Sequence, residues 1–325
     1  MKRPLLPFLS LLFLFSCTPE EPSTPPLQPQ DFEDRSMEVE VETGTPAHPR
    51  PPQYVSSPPV PEVVTFAGDT IPLHRHDVRE ALEYELVVNT FFHSHTMTIL
   101  KEVERWRPLI EKTLHDNLVP VDFLYLAVAE SELDNNAVSF AGAMGMWQFM
   151  KSTAEEYDLE VDRSVDMRRD PKLATEAATK YLREAYVEFN DWPLVAASYN
   201  RGMRGIKELL EEQQVDNFFD LHLNKETARY VYRIIALKLI LENPEAYGYF
   251  LKPEEKYKPY TFTTIVVDED IDNLVDFAKR HHTTYKELRI LNPWFNNTSK
   301  YELEIPRNKA YELRLPLVMA DSLQE

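Results

Sequence analysis

The sequence places a glutamate, Glu130, at the end of an apolar run and directly before a stretch of small and glycine-bearing residues. The segment from Val121 to Leu133 is apolar on nearly every face, which predicts a buried helix that stops at Asp134-Asn135-Asn136. Glu130 is therefore expected in the last turn, where the negative end of the helix dipole and the loss of solvent both favour a protonated carboxyl group. Such an acid can protonate a leaving group, as glycoside cleavage requires. A plainer interpretation is that Glu130, Glu132 and Asp134 form a solvated helix end.

The residues that follow could bind a sugar. Gly142 and Gly145 allow the backbone to approach a neighbour or a ligand closely, while Trp147 offers a flat apolar face and Gln148 a bidentate polar group. A sugar needs both kinds of contact. The same residues are also compatible with a tight helix crossing in which Trp147 is an ordinary core residue.

The elements that must position these residues are helical from about His74 to Asn243. Asp170-Pro171 predicts an N-cap and a first helical position, and Asp191-Trp192-Pro193 opens a second, shorter helix that ends at Asn200-Arg201-Gly202. A third helix, "KETARYVYRIIALKLI", is apolar on most of its circumference after Tyr230, and we expect it at the centre of the bundle.

After Pro259 the pattern changes to strands and short helices. The stretches "TFTTIVV" and "YELEIP" predict two strands, and "NLVDFAKRH" and "TYKELRILN" between them predict two short helices. The sequence therefore predicts a small βααβ unit. The last apolar stretch, "ELRLPLVMA", has no predicted place in it.

Composition excludes several classes of function. The 325 residues carry a formal net charge of -19, which argues against a protein that tracks nucleic-acid phosphates with clustered Lys and Arg. His93 and His95 would point to different faces of a helix, so we expect no metal site there. The run beginning at Asp268 fails as a calcium loop, because Asn273 stands where that loop needs Gly and Lys279 where it needs Glu. We expect no cofactor.

The N-terminus has the pattern of an export signal. Lys2 and Arg3 precede an apolar run that is too short to span a bilayer, and Cys17, the one cysteine of the chain, follows it. A disulfide is therefore excluded. Cys17 could be a stray apolar residue of a leader, but the segment resembles the lipobox of bacterial lipoproteins, although Phe15 is bulkier than the usual residue. That resemblance implies a lipidated Cys17 and, with Thr18 after it, sorting to the outer membrane.

The segment from Thr18 to about Pro61 is crowded with Pro, Glu and Ser. Such a segment cannot bury enough apolar surface to offset its ordering entropy, and proline makes it extended. It is predicted to be a disordered tether. The alternative is a ligand for a proline-recognition domain.

Three stretches, "ESELDNNAVSFAGAMGMWQFMKSTA", "AASYNRG" and "ETARYVYRIIAL", resemble successive signatures of the soluble-lytic-transglycosylase catalytic family, in the family's order and spacing. They are most similar to the membrane-bound lytic transglycosylase D branch, and the resemblance covers about 170 residues, from the helices after Thr70 to near Tyr249. It implies a mainly α fold with a lysozyme-like helical catalytic domain. It also implies cleavage of the β-1,4 bond between N-acetylmuramic acid and N-acetylglucosamine in peptidoglycan.

The resemblance implies that Glu130 is the single catalytic acid and base, which protonates the leaving oxygen and then deprotonates the muramoyl 6-hydroxyl to leave a 1,6-anhydro end. It places Ser131 and Gln148 in the cleft, and the pair Tyr199-Asn200 beside the acid and the substrate's acetamido group. Ser131 could instead cap a helix end, and Tyr199 could fill core with its hydroxyl on a backbone carbonyl.

The third signature implies a cleft role for Glu226 and Tyr230, which share a helix face. Two departures from the family pattern, Arg201 and Phe149-Met150, put the shape of the cleft floor in doubt rather than the reaction.

The C-terminal unit resembles a LysM domain in "AKRHHTTYKELRILN" and "LEIP", but it has Ile271-Asp272 where such domains usually carry Gly-Asp. It could bind sugar, or it could be a spacer or an interaction module. The expected organisation is a lipoprotein signal peptide over residues 1–17, a tether over 18–62, a lytic transglycosylase domain over 63–259, and a LysM-like domain with a tail over 260–325.

We expect a monomer that is anchored to the outer membrane, faces the periplasm and acts on glycan strands. The rival interpretations are a hydrolytic muramidase of the same fold, a non-catalytic peptidoglycan-binding lipoprotein, and a scaffold for protein partners.

Overall fold

The computed structural model of the protein describes residues 55–296 and 301–317, and the predicted signal peptide, Cys17 and most of the predicted tether lie outside those residues. A hairpin of β1 (Thr65–Phe66) and β2 (Asp69–Thr70) opens the described part, and Gly68 turns it with a φ of 92°. The helices that follow are α1 (His76–Phe91), α2 (His93–Asp116), α3 (Leu124–Ser131), α4 (Lys151–Glu156), α5 (Pro171–Phe189), α6 (Trp192–Arg201), α7 (Met203–Gln213) and α8 (Lys225–Glu242). Within the described part, no helix is both long enough and apolar enough to cross a bilayer.

The starts of α5 and α6 follow from their caps, as predicted. Asp170 accepts the backbone N–H groups of Lys172 and Leu173 and is followed by Pro171 at the first helical position. Asp191 likewise accepts the backbone N–H of Leu194. These caps satisfy donors that would otherwise be unpaired at each helix start.

Helix α3 is shorter than predicted, because it ends at Ser131 rather than at Asp134. Glu132 and Leu133 both adopt left-handed backbone conformations, with φ of 58° and 67°. The turn buries Leu133 without continuing the helix, and for this reason the apolar pattern runs past the helix end. Glu130 does lie in the last turn, as predicted.

Helix α8 lies at the centre of the helical domain, which confirms its predicted position. It packs against α1, α3 and α6. Its residues from Tyr230 onward are mostly buried, including Val231, Ile234 and Ile235 with no exposed area. A helix that is apolar around most of its circumference is stable only when neighbours cover it on several sides.

The C-terminal unit is a βααβ module, as predicted, but its second strand is not the predicted one. Strand β3 (Phe262–Val267) pairs antiparallel with β4 (Tyr311–Pro316), in a register that places Phe262 opposite Pro316; α9 (Leu274–Arg280) and α10 (Tyr285–Leu291) lie between the two strands in sequence. The mainly α fold class with a small βααβ module is confirmed.

The stretch "YELEIP", residues 301–306, forms only a single bridge, in which Leu303 pairs with Ile271. The prediction that it is a strand is wrong. Its near copy "YELRLP" ten residues later forms β4 and buries Tyr311, Leu313 and Leu315 in alternation. The two stretches share one pattern, and only packing against β3 distinguishes them.

The module contacts the helical domain through the segment before α5. The backbone N–H of Asp166 donates to the carbonyl oxygen of Trp294 at 2.8 Å, and that of Asn296 donates to Ser164 at 2.8 Å. Arg314 of β4 forms an ion pair of 2.8 Å with the buried Asp170, the N-cap of α5. One carboxylate therefore both starts a helix of the helical domain and holds the module.

Candidate active site

Glu130 points from the last turn of α3 toward the central helix α8. Its carboxylate accepts a short hydrogen bond from the hydroxyl of Tyr230, which is itself buried. The side chain of Glu130 is only partly exposed. The plainer interpretation of Glu130 as part of a solvated helix end is therefore wrong, whereas Glu132 and Asp134 beside it are exposed.

Burial raises the pKa of Glu130 to about 7. The hydrogen bond from Tyr230 and the positive charge of Arg233 act in the opposite direction and lower it, while the negative charge of Glu226 raises it. Near neutral pH the carboxyl group therefore exists in both protonation states in comparable amounts. A group in this condition can both donate and accept a proton.

Arg233 acts on Glu130 and was not singled out from the sequence. It lies on α8 one turn after Tyr230 and is 3.5 Å from the carboxylate of Glu85, a residue of α1 with no exposed area. Arg229 donates to the other oxygen of the same carboxylate. A signal was present in the sequence, since Glu85 falls at helical spacing on the same face of α1 as Val78 and Leu82, and two arginines four residues apart interrupt the apolar helix α8.

Tyr199 of α6 is bonded to the loop between α3 and α4. Its hydroxyl donates to the carbonyl oxygen of Trp147 at 2.8 Å, and its ring packs edge-on against Tyr181. Burial, and after it the charge of Glu130, raises the pKa of Tyr199 well above its usual value. The hydroxyl therefore stays protonated and donates to a backbone carbonyl. This is the structural role that the sequence analysis gave as the alternative for Tyr199.

Ser131 and Gln148 also bind backbone oxygens of this loop. Ser131 Oγ donates to the carbonyl oxygen of Met146 at 2.7 Å. Gln148 has a left-handed φ of 49°, and its Nε2 donates to the carbonyl oxygens of Gly145 at 2.8 Å and Ala137 at 3.3 Å. Both side chains are only partly exposed, and they hold the loop against the end of α3.

Asn200 and Glu226 lie at the solvent side of the cluster and are exposed. Asn200 Oδ1 accepts the hydroxyl of Thr227 at 2.9 Å, and Thr227 directly follows Glu226 in the first turn of α8. Asn200 also follows Tyr199, so the second and third sequence signatures meet here. Thr227 is a further residue that sequence reasoning missed.

Trp147 is not the exposed sugar platform that the sequence suggested. It has no exposed area, and its Nε1 donates to Thr175 Oγ1 at 2.9 Å. Gly145 lets the backbone of this loop pack closely against the backbone of Arg168, because a Cβ at position 145 would meet the carbonyl oxygen of Arg168 at 2.0 Å. Trp147 is therefore a core residue, the alternative stated for it above.

Arg168 holds the same loop through hydrogen bonds to its backbone. Its guanidinium is buried beside Asp166 at 2.7 Å and donates to the carbonyl oxygens of Gly142 and Phe149, both at 3.1 Å. Asp166 in turn donates its backbone N–H to Trp294 of the module. The loop that carries Gln148 is thus linked through Arg168 to the C-terminal module.

The structure brings Glu130, Tyr199, Tyr230 and Glu226 together in one cluster, with Ser131, Gln148 and Asn200 bonded at its edges. Cys17 is outside the described residues. In the part of the chain that the structure describes, no three His, Cys, Asp or Glu side chains are grouped so that they could hold a metal ion.

Two family models match this chain. Residues 107–220 match the family described as Transglycosylase SLT domain, and residues 263–318 match the Soluble lytic transglycosylase C-terminal LysM-like domain. The motif-based resemblance to the soluble-lytic-transglycosylase catalytic family and to a LysM domain is confirmed.

Among curated proteins, the Membrane-bound lytic murein transglycosylase D of Escherichia coli (strain K12) is 31% identical over 191 residues, which cover 56% of this chain and 41% of that protein. The Peptidoglycan transglycosylase gp16 of Escherichia phage T7 is 39% identical over 97 residues, or 29% of this chain and 7% of that protein. The chain thus spans less than half the length of these relatives.

Two solved structures are similar at low identity. The 70 kDa soluble lytic transglycosylase SLT70 of Escherichia coli is 20% identical, with a TM-score of 0.40, and the match covers 56% of this chain and 32% of that chain. The lytic transglycosylase Slt of Pseudomonas aeruginosa is also 20% identical, with a TM-score of 0.37, over 47% of this chain and 26% of that chain.

Proposed function

We propose that this chain, which carries a transglycosylase SLT domain followed by a LysM-like domain, is a peptidoglycan lytic transglycosylase for cell-wall remodelling. It cleaves the β-1,4 bond between N-acetylmuramic acid and N-acetylglucosamine and leaves 1,6-anhydromuramoyl ends. The observation that carries the proposal is the half-buried Glu130, with its pKa raised to about 7 and its carboxylate bonded by Tyr230.

Glu130 performs both proton transfers. The protonated carboxyl group donates its proton to the glycosidic oxygen as the bond from that oxygen to the anomeric carbon breaks. The resulting carboxylate then removes the proton of the muramoyl 6-hydroxyl, whose oxygen attacks the same anomeric carbon. Glu130 therefore ends the reaction protonated, as it began, and no water is consumed.

The hydrogen bond from Tyr230 and the charge of Arg233 stabilise Glu130 after it has lost its proton. Burial favours the protonated form before that step. The two opposing effects keep the pKa near neutral, as a group requires that acts first as an acid and then as a base.

The other cleft residues position substrate or acid. We assign Ser131 and Gln148 to the cleft wall and Asn200, which is exposed, to the acetamido group of the substrate. We also assign Tyr199 to orienting the acid; its hydroxyl donates to the carbonyl oxygen of Trp147 and so holds the loop that carries Gln148. Glu226 is exposed beside the cluster and can contact the glycan.

The whole chain is organised, in this proposal, as a signal peptide over residues 1–17, a tether over 18–62, a catalytic domain over 63–259 and a LysM-like domain with a tail over 260–325. Lipidated Cys17 anchors a monomer to the outer membrane with its catalytic domain in the periplasm. The relative named Membrane-bound lytic murein transglycosylase D supports association with the envelope. Cys17→Ala is expected to move the protein from the membrane fraction to the soluble fraction; continued sedimentation with membranes would refute the anchor.

The test of the activity uses the full chain in detergent with purified sacculi. Release of muropeptides is expected from wild type and is expected to fall by about three orders of magnitude in Glu130→Gln, because the proton donor is gone while the shape stays. Glu212→Gln is the matched control, since it removes an exposed carboxylate in the last turn of another helix, α7, and Glu212 is not among the residues assigned to the cleft. It is expected to retain activity.

Equal activity in Glu130→Gln and wild type would exclude Glu130 as the acid. Absence of release by wild type, with both proteins still binding sacculi, would favour the peptidoglycan-binding lipoprotein. Release of products with reducing muramic acid ends would favour the hydrolytic muramidase.

A further inference from the structure

The boundary between the helical domain and the C-terminal module contains two adjoining cavities of about 630 and 400 Å³. Both are lined by Trp106 of α2, by Tyr260 of the linker (residues 243–261, between α8 and β3), and by Ile290 and Pro293 of the module. We call the two cavities together the seam groove. The helical domain, the linker and the module all contribute to its walls, so the docked module completes it.

The seam groove adjoins the acid cluster at Ser131 but does not include the acid. Its first cavity is lined by Ser131 and by residues 132–137, the loop that follows Glu130. Glu130 itself does not line either cavity, and neither do Gln148, Tyr199, Asn200 or Tyr230. The groove therefore has no assigned role in the proton transfers proposed above.

The shared wall is an aromatic surface of fixed geometry. The rings of Trp106 and Tyr260 lie edge to face at 5.9 Å, and the indole N–H of Trp106 donates to Glu102 at 2.8 Å. The guanidinium of Arg105 lies 4.6 Å from the ring centre of Tyr260 and 4.8 Å from that of Tyr257. These contacts hold the rings in place before any ligand arrives, so a flat apolar ligand face would meet an ordered surface.

The opposite wall of the first cavity is polar. It includes Glu132, Asp134, Asn135 and Asn136. Asn135 is 8% exposed, and its Oδ1 is one of the few buried side-chain atoms in the described residues that lack a hydrogen-bond partner. A ligand hydroxyl or amide N–H could supply the missing donor, which would remove the cost of an unpaired buried oxygen.

The charge of the groove decides which ligand class it accepts. The first cavity is lined by the carboxylates of Glu102, Glu132 and Asp134, and none of the described residues lining it is Lys, Arg or His. The second cavity is lined by Arg105, Lys172 and Arg314 beside Glu312, so a ligand with a single sign of charge that spans both cavities would be repelled in one of them. A neutral ligand with apolar faces, hydroxyl groups and amide N–H groups fits both walls.

We propose that the seam groove is a second saccharide-binding site, which takes neutral N-acylated amino sugars of the glycan strand and holds the polymer while cleavage proceeds at Glu130. This assignment rests on the proposed function, because it takes the glycan strand as the substrate. It gives the C-terminal module a role as one wall of a composite site.

The test measures binding of short glycan strands that are built only of β-1,4-linked N-acetylglucosamine and are therefore neutral. The full chain in detergent carries Glu130→Gln in every sample so that the strands are not cut, and dissociation constants are measured by titration calorimetry. Tyr260→Ala is expected to weaken binding about five- to tenfold, the range that loss of one aromatic contact gives. Tyr260→Phe keeps the ring and is expected to bind within about twofold of its parent.

Tyr257→Ala is the matched control, since Tyr257 lies in the same linker, is similarly exposed and faces the same arginine, but lines neither cavity. It is expected to leave binding unchanged. Ile290→Ser tests the groove from the module side, where the residue is 42% exposed, and is expected to weaken binding as well.

Equal losses in Tyr260→Ala and Tyr257→Ala would overturn the proposal. So would a loss that is seen only with peptidoglycan strands that carry stem peptides, because the groove would then bind peptide. Cleavage is measured separately with Glu130 intact. A wild-type protein that fails to cleave sacculi but shows the predicted binding pattern would refute the proposed activity and leave the saccharide site standing.

Discussion

The chemistry at the residue scale depends on opposing effects on one carboxyl group. Burial raises the pKa of Glu130, while the hydroxyl of Tyr230 and the charge of Arg233 lower it toward neutrality. Neither effect could be quantified from the sequence, because the depth of burial and the partner of Glu130 on α8 are set by tertiary packing. The last-turn position of Glu130 could be predicted from the apolar pattern, and the motif singled out Tyr230, whose hydroxyl donates to Glu130.

Tyr230→Phe removes the donor that stabilises the carboxylate form, so we expect the pKa of Glu130 to rise. The protonated acid then persists to higher pH, and the alkaline limb of the pH profile of kcat/KM is expected to move upward by about one pH unit. Tyr232→Phe on the same helix is the control, because burial and not Glu130 raises the pKa of Tyr232. An alkaline limb that stays in place, or moves to lower pH, would contradict this assignment.

Glu130→Gln is expected to change stability in a pH-dependent way. The pKa of Glu130 in the folded state, about 7, lies above the unfolded value of 4.5, so the folded state holds an extra proton between these values. Wild type therefore loses stability as pH rises from 4.5 through 7, on the order of 1–3 kcal/mol. Glutamine does not ionise, and the variant is expected to match or exceed wild type at pH 8 but not at pH 4.5.

Thermal unfolding of the two proteins across this pH range measures the difference. A gap that does not change with pH would show that Glu130 titrates at its ordinary value in the folded protein.

The elements of the site illustrate what patterns predict and what packing decides. Caps such as Asp170 and Asp191 are local, and the starts of α5 and α6 were predicted correctly. The end of α3 and the identity of the last strand depend on which apolar residues reach the core, so both predictions failed in detail. The sequence also could not decide whether Trp147 is a sugar platform or a core residue, because its neighbours in sequence are the same in both cases.

Gly145→Ala tests the loop that supports the cleft. A Cβ at Gly145 would overlap the carbonyl oxygen of Arg168 and would sit at a φ of 79°, so we expect a loss of about 3 kcal/mol in the free energy of unfolding and a large loss of activity. Gly142→Ala has a similar φ of 86° but nothing within 4 Å of the added atom. It is expected to cost about 1 kcal/mol, from backbone strain alone.

Urea unfolding of both variants gives the comparison. Equal losses would mean that backbone conformation, rather than contact with Arg168, makes glycine necessary at position 145.

At the scale of the whole molecule, the module and the helical domain contact each other directly, through the ion pair of Arg314 with Asp170. A C-terminal LysM-like domain could be predicted from the sequence, but its contact with the helical domain could not, because Arg314 and Asp170 are 144 residues apart and no local pattern links them. The groove at the boundary follows from that docking. The family resemblance therefore predicted both domains and missed the surface that they form together.

Arg314→Met is expected to lower the free energy of unfolding by about 3 kcal/mol, because it leaves the buried carboxylate of Asp170 without its cation. Arg204→Met removes an ion pair of 2.7 Å with Glu208, where Arg204 is 92% exposed, and is expected to cost less than about 0.5 kcal/mol. Urea denaturation measures both. A loss in Arg314→Met no larger than that in Arg204→Met would show that the module contact contributes little to stability.

The central claim is that Glu130 transfers both protons and that no water enters the product. It is tested most directly by digesting sacculi with the full chain in water enriched in heavy oxygen and analysing the muropeptides by mass spectrometry. The account predicts products lighter than the hydrated muropeptides by one water and free of the label. Incorporation of the label at the anomeric carbon would contradict it and identify a hydrolase.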